Sequence, residues 1–206
     1  MDAHVFIDNS NIFGGAQKAL KTYEPDIPWP AIRIYYKNFF KLIEGSDKAV
    51  TKILAGSMPP GNDDLWEHAR NCGYNTDLLK RIEQDDGRLA EQGVDEILHL
   101  KIANVLLDYD PPQKLIVCTG DGQQSTCNTS FTEQIERAIK RKWSVDIWSW
   151  KAQLSNKLRR LEHNTITSVT LNELDPYYSK VTFIKGGIYI NGSNKIIAKE
   201  RVVHSL

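Results

Sequence analysis

The sequence predicts a three-layer α/β domain built around a mostly parallel, Rossmann-like sheet, and three observations lead to this fold class. Short apolar runs that suit buried strands alternate along the chain with stretches whose apolar residues recur at helical spacing. Two of these runs end in an aspartate among glycines or asparagines, in FIDNSN and in VCTGDG. With 206 residues, 41% of them hydrophobic, the chain is long enough for one domain with a buried core.

The first predicted strand covers residues 4–8 and delivers Asp8 to its carboxyl end. Apolar residues at helical spacing follow it, namely Ile12, Ala16, Leu20 and Tyr23, until the PDIPWP segment ends that helix. Ligands of parallel α/β sheets gather at the carboxyl ends of strands, so Asp8 is a candidate site residue. The alternative is that Asp8 only ends the strand and that Ser10 or Asn11 caps the helix.

The middle of the chain continues the alternation of helices and strands. The predicted elements are a helix from Pro30 to about Gly45, a strand over 49–55, a helix from Asn62 to Gly73, a strand over 74–79, a helix from Gly93 to the DYDPP break, a strand over 114–118, a helix from Ser130, a strand over 145–150 and a short helix marked by Leu154, Leu158 and Leu161. Proline suits a first helical position, asparagine and serine suit N-caps, and glycine suits the end of a helix. This order favours parallel strands with right-handed crossovers.

The last forty residues change in character. Runs rich in β-forming residues cover 181–184, 188–190 and 196–203 and are separated by KGG and NGSN turn signals. We therefore expect residues 165–206 to form a small antiparallel β extension packed on the domain of residues 1–164. The polar segment 80–92 is expected to be an exposed, mobile loop.

Composition limits the classes of function. The 26 basic and 26 acidic residues balance, so nucleic acid would have to be met by a local patch rather than by the overall field. Three cysteines, an odd number without a CxxC pair, favour a reducing compartment. The absence of a basic leader and of a long apolar run predicts an intracellular protein, in the cytoplasm or the nucleus, that does not engage a membrane. Neither a P-loop, a GxGxxG motif nor a GxSxG elbow occurs.

Three aspartates are candidates for chemistry. Asp8 and Asp121 follow predicted strands, and Asp95 opens a predicted helix, so all three can converge at one edge of the sheet. Mg²⁺ binds well to one or two carboxylates together with a substrate phosphate, and a bound metal activates water for hydrolysis. The alternatives are that Asp95 is only a favourable charge at a helix start and that Asp121 is only a turn residue.

These residues resemble the NYN domains, a branch of the PIN-like ribonucleases with a Rossmann-like sheet. FIDNSNI resembles the opening signature of that family, EQGVDEILHLKIAN resembles its KGVD helix, and IVCTGDG resembles its SGD turn. Together the three matches span roughly residues 5–150. The resemblance implies a PIN/NYN fold and metal-dependent cleavage of single-stranded RNA with Mg²⁺ or Mn²⁺. It also implies that Asp8, Asp95 and Asp121 bind the metal and that Asn11 assists at the phosphate.

Two positions depart from the family pattern. Many members carry further acids six residues after the GVD aspartate and two residues after the SGD aspartate, where this chain has Lys101 and Gln123. A smaller acidic cluster binds metal more weakly. A catalytically weakened relative that binds RNA, a protein partner or a second copy of itself therefore stays open, as does a metal-dependent phosphatase-like hydrolase.

Further residues are candidates for contacts around the acids. The predicted RNA-binding set is Arg137, Lys140, Arg141, Lys157 and Arg160, which belong to two neighbouring helices. The predicted cleft-lining set is Ser10, Thr119, Gly122, Gln123 and Ser149. Trp148 or Trp150 can offer a base a stacking face, and His99, four residues after Asp95, can face the same way. The alternative for the basic set is an ordinary solvated helix face.

Overall fold

A computed structural model describes residues 1–57, 63–79, 82–83, 89–90, 93–125, 129–163, 166–191 and 194–206. In chain order the elements are β1 (Asp2–Asp8), α1 (Asn9–Tyr23), β2 (Ile32–Ile34), α2 (Tyr36–Glu44), β3 (Lys48–Ser57), α3 (Asp63–Asn71), β4 (Asn75–Leu79), β5 (Ile82–Glu83), β6 (Leu89–Ala90), α4 (Val94–Asp108), β7 (Lys114–Cys118), α5 (Phe131–Lys140), β8 (Ser144–Ser149), α6 (Asn156–Leu161), β9 (Val169–Glu173), α7 (Tyr178–Val181), β10 (Thr182–Ile184), β11 (Gly187–Asn191) and β12 (Asn194–Ala198). Short 3₁₀ helices lie at Trp29–Ala31 and Asp175–Tyr177.

Six parallel strands form the central sheet in the order β4-β3-β1-β7-β8-β9. Numbered by their sequence within this sheet, the strands run 3-2-1-4-5-6, so the chain reverses direction across the sheet between β1 and β7. Doubly wound sheets bind their ligands outside the carboxyl ends of the strands at such a switch point. The predicted α/β class and its central parallel sheet are confirmed.

Helices cover both faces of the sheet and give three layers. The face with Val5 and Ile7 packs in one core cluster against Ile12 of α1, Phe39 of α2 and Trp66 of α3. The opposite face carries Phe6 and Val117, which share a second cluster with Leu98 of α4, Ile135 of α5 and Leu158 of α6. Since successive side chains of a strand alternate between faces, Asp8 follows Phe6 toward the layer of α4 and α5.

The helix predicted from Pro30 begins six residues later, at Tyr36. Pro30 lies in a 3₁₀ turn, and Ile32–Ile34 form β2, which pairs antiparallel with β10. Ile32 and Ile34 are buried, as alternation in a strand requires, whereas Ile32 also fits helical spacing with Tyr36 and Phe39. The partner strand lies some 150 residues along the chain, so local periodicity does not reveal it.

The C-terminal segment contains a strand that its sequence pattern does not predict. Val169–Glu173 form β9, which pairs parallel with β8 and becomes an edge of the central sheet. Of its five residues only Val169 is buried, so the strand lacks a strong apolar signal. Part of the predicted antiparallel extension is present as the pair β11 and β12, and the run predicted over 196–203 ends as a strand at Ala198. The division at residue 164 remains a prediction.

The segment expected to be a loop contains one described feature, the antiparallel pairing of β5 with β6. The rest of residues 80–92, and the predicted cap Asn62, lie outside the described residues. Cys72 and Cys118 are free thiols, and Cys127 also lies outside the described residues. Among the helices that the structure describes, none is long and apolar enough to cross a membrane.

Candidate active site

Asp8 is the last residue of β1 and the N-cap of α1. Its Oδ1 accepts a hydrogen bond from the backbone N–H of Asn11 at 3.0 Å, and its side chain is only 4% exposed. The cap is therefore Asp8 itself, and neither Ser10 nor Asn11 as the alternative proposed. Capping occupies one carboxylate oxygen, and the other points to the neighbouring strand end.

Thr119 joins the two aspartates of the switch point. Its hydroxyl donates to Asp8 Oδ2 at 3.1 Å and accepts from the backbone N–H of Asp121 at 3.2 Å. The β1–β7 register pairs Ile7 with Cys118, so Asp8 and Thr119 leave the sheet side by side. A fully buried hydroxyl thus fixes Asp8 relative to the loop that carries Asp121.

Two further hydrogen bonds shape this loop. The side-chain oxygen of Asn11 accepts from the backbone N–H of Gly120 at 2.8 Å, which ties the first turn of α1 to the end of β7. Asp121 Oδ1 accepts from the backbone N–H of Gln123 at 2.8 Å, the hydrogen bond of an Asx turn. The second oxygen of Asp121 receives no hydrogen bond from the described residues. Asn11, predicted to assist at the phosphate, therefore already holds the loop in place.

The residues just before α6 pack so closely on the TGDG loop that only glycine fits at positions 120 and 122. A Cβ on Gly120 would lie 2.5 Å from the backbone oxygen of Gln153, and one on Gly122 would lie 2.2 Å from Ser155 Oγ. The Ser155 N–H also donates to the Gly120 carbonyl at 2.9 Å. The loop is therefore held by the segment that follows β8 as well as by Asn11 of α1.

Asp95 lies at the same edge of the sheet, in the first turn of α4. Helix α4 ends shortly before β7 begins at the amino edge, so its start lies at the carboxyl edge. Val94 packs in one core cluster with Ala55, and the sheet register places Ala55 directly opposite Asp8. Within the described residues, no three His, Cys, Asp or Glu side chains are grouped so that they could hold a metal ion.

The residues predicted to line the cleft divide into two groups. Thr119 and Ser149 are 0% and 1% exposed and lie below the cleft surface rather than on it. Ser149 supports Gly120 from below, since a Cβ on that glycine would approach Ser149 Oγ to 2.6 Å, and Gly122 is buried against Ser155. Ser10 is half-buried and Gln123 is exposed, so these two remain at the surface.

Neither tryptophan offers a stacking face, so that expectation is wrong. Trp150 is fully buried, packs on Gly15 and donates its indole N–H to the carbonyl of Ile12 at 2.9 Å. Trp148 is 9% exposed and lies against Tyr177. Both tryptophan rings therefore pack in the hydrophobic core cluster that includes α1.

The basic residues are distributed over two edges of the sheet. Helix α5 runs from the carboxyl edge to the amino edge, where Arg141 lies 3.2 Å from the Tyr109 carbonyl and 3.5 Å from Asp110 Oδ1. Lys157 instead lies beside the TGDG loop, since its Cβ is 3.2 Å from the position of a Cβ on Gly122. The other exposed cations of the predicted set are Arg137, Lys140 and Arg160. Only Lys157 is thus fixed next to the candidate site by a described contact.

A pair of residues that sequence reasoning missed lies on the other side of Asp8. The hydroxyl of Tyr36 donates to the side-chain oxygen of Asn9, and burial raises the pKa of Tyr36 far above its usual range. A Cβ on Gly56 would lie 3.1 Å from Cβ of Asn9, so this strand glycine makes room for the asparagine. A glycine inside an otherwise apolar strand is the available sequence signal for such an approach.

Comparisons with known proteins bear on the fold. No protein-family model and no curated protein matches the chain. The structure is similar to the crystal structure of a protein of unknown function from Vibrio parahaemolyticus, with a TM-score of 0.58 and 16% sequence identity. The similarity covers 84% of this chain and 94% of that one. At this identity it concerns the fold alone.

Proposed function

We propose that this protein is a metal-dependent ribonuclease of the NYN type. The observation that carries the proposal is the Thr119 bridge, which holds Asp8 and the Asp121 loop together at the switch point of a parallel sheet. Asp95 belongs to the same edge and the same face. Carboxylates at the carboxyl edge of a parallel sheet suit a site for phosphodiester hydrolysis.

The donor set suits a hard divalent cation, Mg²⁺ or Mn²⁺. Asp8, Asp95 and Asp121 would hold the ion through carboxylate oxygens, the ligands that such cations prefer. When bound, it would neutralise phosphate charge and lower the pKa of a water molecule. The protein itself supplies orientation, because Thr119 fixes Asp8, and Asn11 fixes the loop at Gly120.

An RNA substrate is supported by the cation beside the acids. Lys157 is exposed and adjoins Gly122, where its ammonium group can meet a phosphate of a strand that crosses the TGDG loop. Two further cations near this loop are Lys151 before α6 and Lys18 of α1, whose ammonium group donates to the Gln153 side chain. The substrate is thus proposed to be a single strand lying across the start of α6.

The decisive experiment replaces Asp8 by asparagine. Asparagine is as good an N-cap as aspartate, so Asp8→Asn should fold with a nearly unchanged melting temperature. We expect the wild type to cut single-stranded RNA with Mn²⁺, and we expect EDTA or Asp8→Asn to abolish cutting. Asp146→Asn is the matched control, because Asp146 pairs with Lys114 at 3.2 Å in the amino-terminal half of β8. Cutting that persists in EDTA and in Asp8→Asn would refute the proposal.

A second candidate is a catalytically weakened relative that binds RNA without cutting it. It is favoured by Lys101 and Gln123, which stand where many members of the resembled family carry acids. In that case the wild type would bind single-stranded RNA and leave it intact with either metal. Binding of the same strand by wild type and Asp8→Asn, without products, would select this candidate.

A further inference from the structure

His99 is a buried histidine whose ring nitrogens have no hydrogen-bond partner among the described residues. It lies in α4, is 2% exposed, and both Nδ1 and Nε2 are buried. A neutral imidazole always carries one N–H, and leaving that donor buried and unpaired is unfavourable. An apolar residue at this position would avoid that penalty, so the histidine needs an explanation beyond packing.

The surroundings of the ring are those of the candidate site. His99 follows Asp95 by one helical turn, and its ring meets the edge of Phe131, the first residue of α5, with 4.4 Å between ring centroids. The loop of Asp121 follows β7 at its carboxyl end, and α4 begins at the same edge of the sheet. Burial lowers the pKa of His99, and the negative charges of Glu96, Asp121 and Glu133 oppose that shift. These three acidic residues belong to α4, the loop and α5.

Asp121 is the carboxylate among these that belongs to the proposed site. One of its oxygens accepts a hydrogen bond from the Gln123 N–H. Within the described residues, no second hydrogen bond fixes the orientation of the carboxylate. Carboxylates that bind metal are normally oriented by a second hydrogen bond from a neighbouring residue, and losing that partner weakens affinity. His99 carries the donor that Asp121 lacks.

We propose that His99 is a positioning residue, whose ring N–H donates to the second carboxylate oxygen of Asp121, directly or through one water, when Asp121 binds a divalent cation. This rests on the proposed metal site and adds to it a residue outside the three aspartates. This role also explains why a polar imidazole is buried at position 99, where an apolar side chain would give a more stable core. Stability and cation affinity are therefore expected to respond in opposite directions to its removal.

The test measures Mn²⁺ affinity by titration calorimetry and the melting temperature of the full chain. His99→Leu removes both ring nitrogens at similar volume and should melt at the same or a higher temperature, yet bind Mn²⁺ about tenfold more weakly. His99→Gln, which restores a donor, should keep most of the affinity. His163→Leu, at an exposed histidine, is the matched control and should change neither quantity.

Affinity in His99→Leu equal to that of the wild type overturns the inference, whatever the melting temperature. Should that variant not fold, the imidazole ¹⁵N shifts of His99 in the wild type decide the matter. Addition of Mg²⁺ should move one of them to the hydrogen-bonded range, and unchanged shifts overturn the inference. If Asp8→Asn loses Mn²⁺ binding while His99→Leu retains it, only the role of His99 is wrong. If Asp8→Asn binds as the wild type does, the proposed site is wrong and the inference falls with it.

Discussion

Thr119 Oγ1 lies 3.1 Å from Asp8 Oδ2, in a buried hydrogen bond between residues 111 positions apart in the chain. It joins the carboxyl ends of β1 and β7 at the point where the strand order reverses. The same hydroxyl receives the backbone N–H of Asp121, so one side chain links both aspartates. The arrangement makes the geometry of the candidate site depend on a residue that is itself inaccessible.

Thr119→Val removes this hydroxyl and nearly preserves the shape of the side chain. We expect a loss of about 1–3 kcal/mol in the free energy of unfolding, because the buried Asp8 carboxylate loses the hydrogen bond from Thr119. We also expect weaker Mn²⁺ binding, since Asp8 and the Asp121 loop are no longer tied. Urea denaturation and titration calorimetry measure the two effects.

Thr51→Val is the control for that prediction. Thr51 Oγ1 of β3 lies 2.8 Å from His4 Nδ1 of β1, well before the carboxyl ends of both strands. Thr51→Val should lower the free energy of unfolding by a similar amount and leave Mn²⁺ affinity unchanged. Equal losses of affinity in both variants would show that Thr119 acts only through general stability.

Lys157 and Arg141 should contribute differently to RNA binding. Lys157 adjoins the TGDG loop, and Arg141 is engaged by the Tyr109 carbonyl and Asp110 at the other edge. In the Asp8→Asn background, Lys157→Glu should weaken binding and reduce the salt slope by about one, since a phosphate contact is lost. Fluorescence anisotropy over a series of salt concentrations gives both quantities.

Arg141→Glu provides the matched charge reversal. It should leave the affinity for RNA and its salt slope near the values of the parent protein. Both side chains are at least partly exposed, so stability should change by less than about 1 kcal/mol in either variant. If Arg141→Glu weakens RNA binding as much as Lys157→Glu does, the bound RNA strand does not run along the start of α6.

The parallel sheet was predictable because its buried strands have distinct local signals. The runs before Asp8 and before Thr119 are continuously apolar, as strands covered on both faces require, and each ends in turn-forming residues. β9 and β2 were missed for a different reason. β9 is a half-exposed edge strand, and β2 exists because a distant strand pairs with it, so neither is determined by its own residues.

Some features of the candidate site were likewise predictable from the sequence, and others were not. Asp8, Asp95 and Asp121 could be assigned to one edge, because order along the chain fixes which end of a parallel sheet each residue reaches. The bridge of Thr119 and the support from Ser149 were not predictable, since they depend on the pairing of particular strand ends. The direction of α5, which carries Arg141 to the amino edge, was not predictable from local spacing, and the RNA-binding role of the α5 cations stays a prediction.

Stability should decrease as the pH falls through about 6.5. Burial lowers the pKa of His4 and His99, whereas their pKa in the unfolded chain is near 6.5. Just below pH 6.5 the unfolded state therefore binds more protons than the folded state, which favours unfolding by up to about 1.4 kcal/mol per pH unit for each histidine. Urea denaturation at pH 7.5 and 5.5 measures this dependence.

His99→Leu should reduce that pH dependence, and His163→Leu, at an exposed position, should not. Carboxylates titrate mainly below this window, so the difference between the two variants isolates the buried ring. An identical loss of stability between pH 7.5 and 5.5 in wild type and His99→Leu would contradict the prediction. His99 would then take up protons in the folded state as readily as in the unfolded one.

Gln123→Asp should strengthen the proposed cation site. Gln123 is exposed, and its backbone N–H already holds Asp121 Oδ1, so a carboxylate at this position adds charge and a ligand within the same turn. We expect tighter Mn²⁺ binding, faster RNA cutting and a nearly unchanged melting temperature. Gln124→Asp adds the same charge one residue further on, where the wild-type side chain donates to Glu133 at 3.3 Å, and should gain neither. Equal gains in both variants would mean that the added negative charge acts at a distance, and no gain in Gln123→Asp would mean that this side chain does not reach the cation.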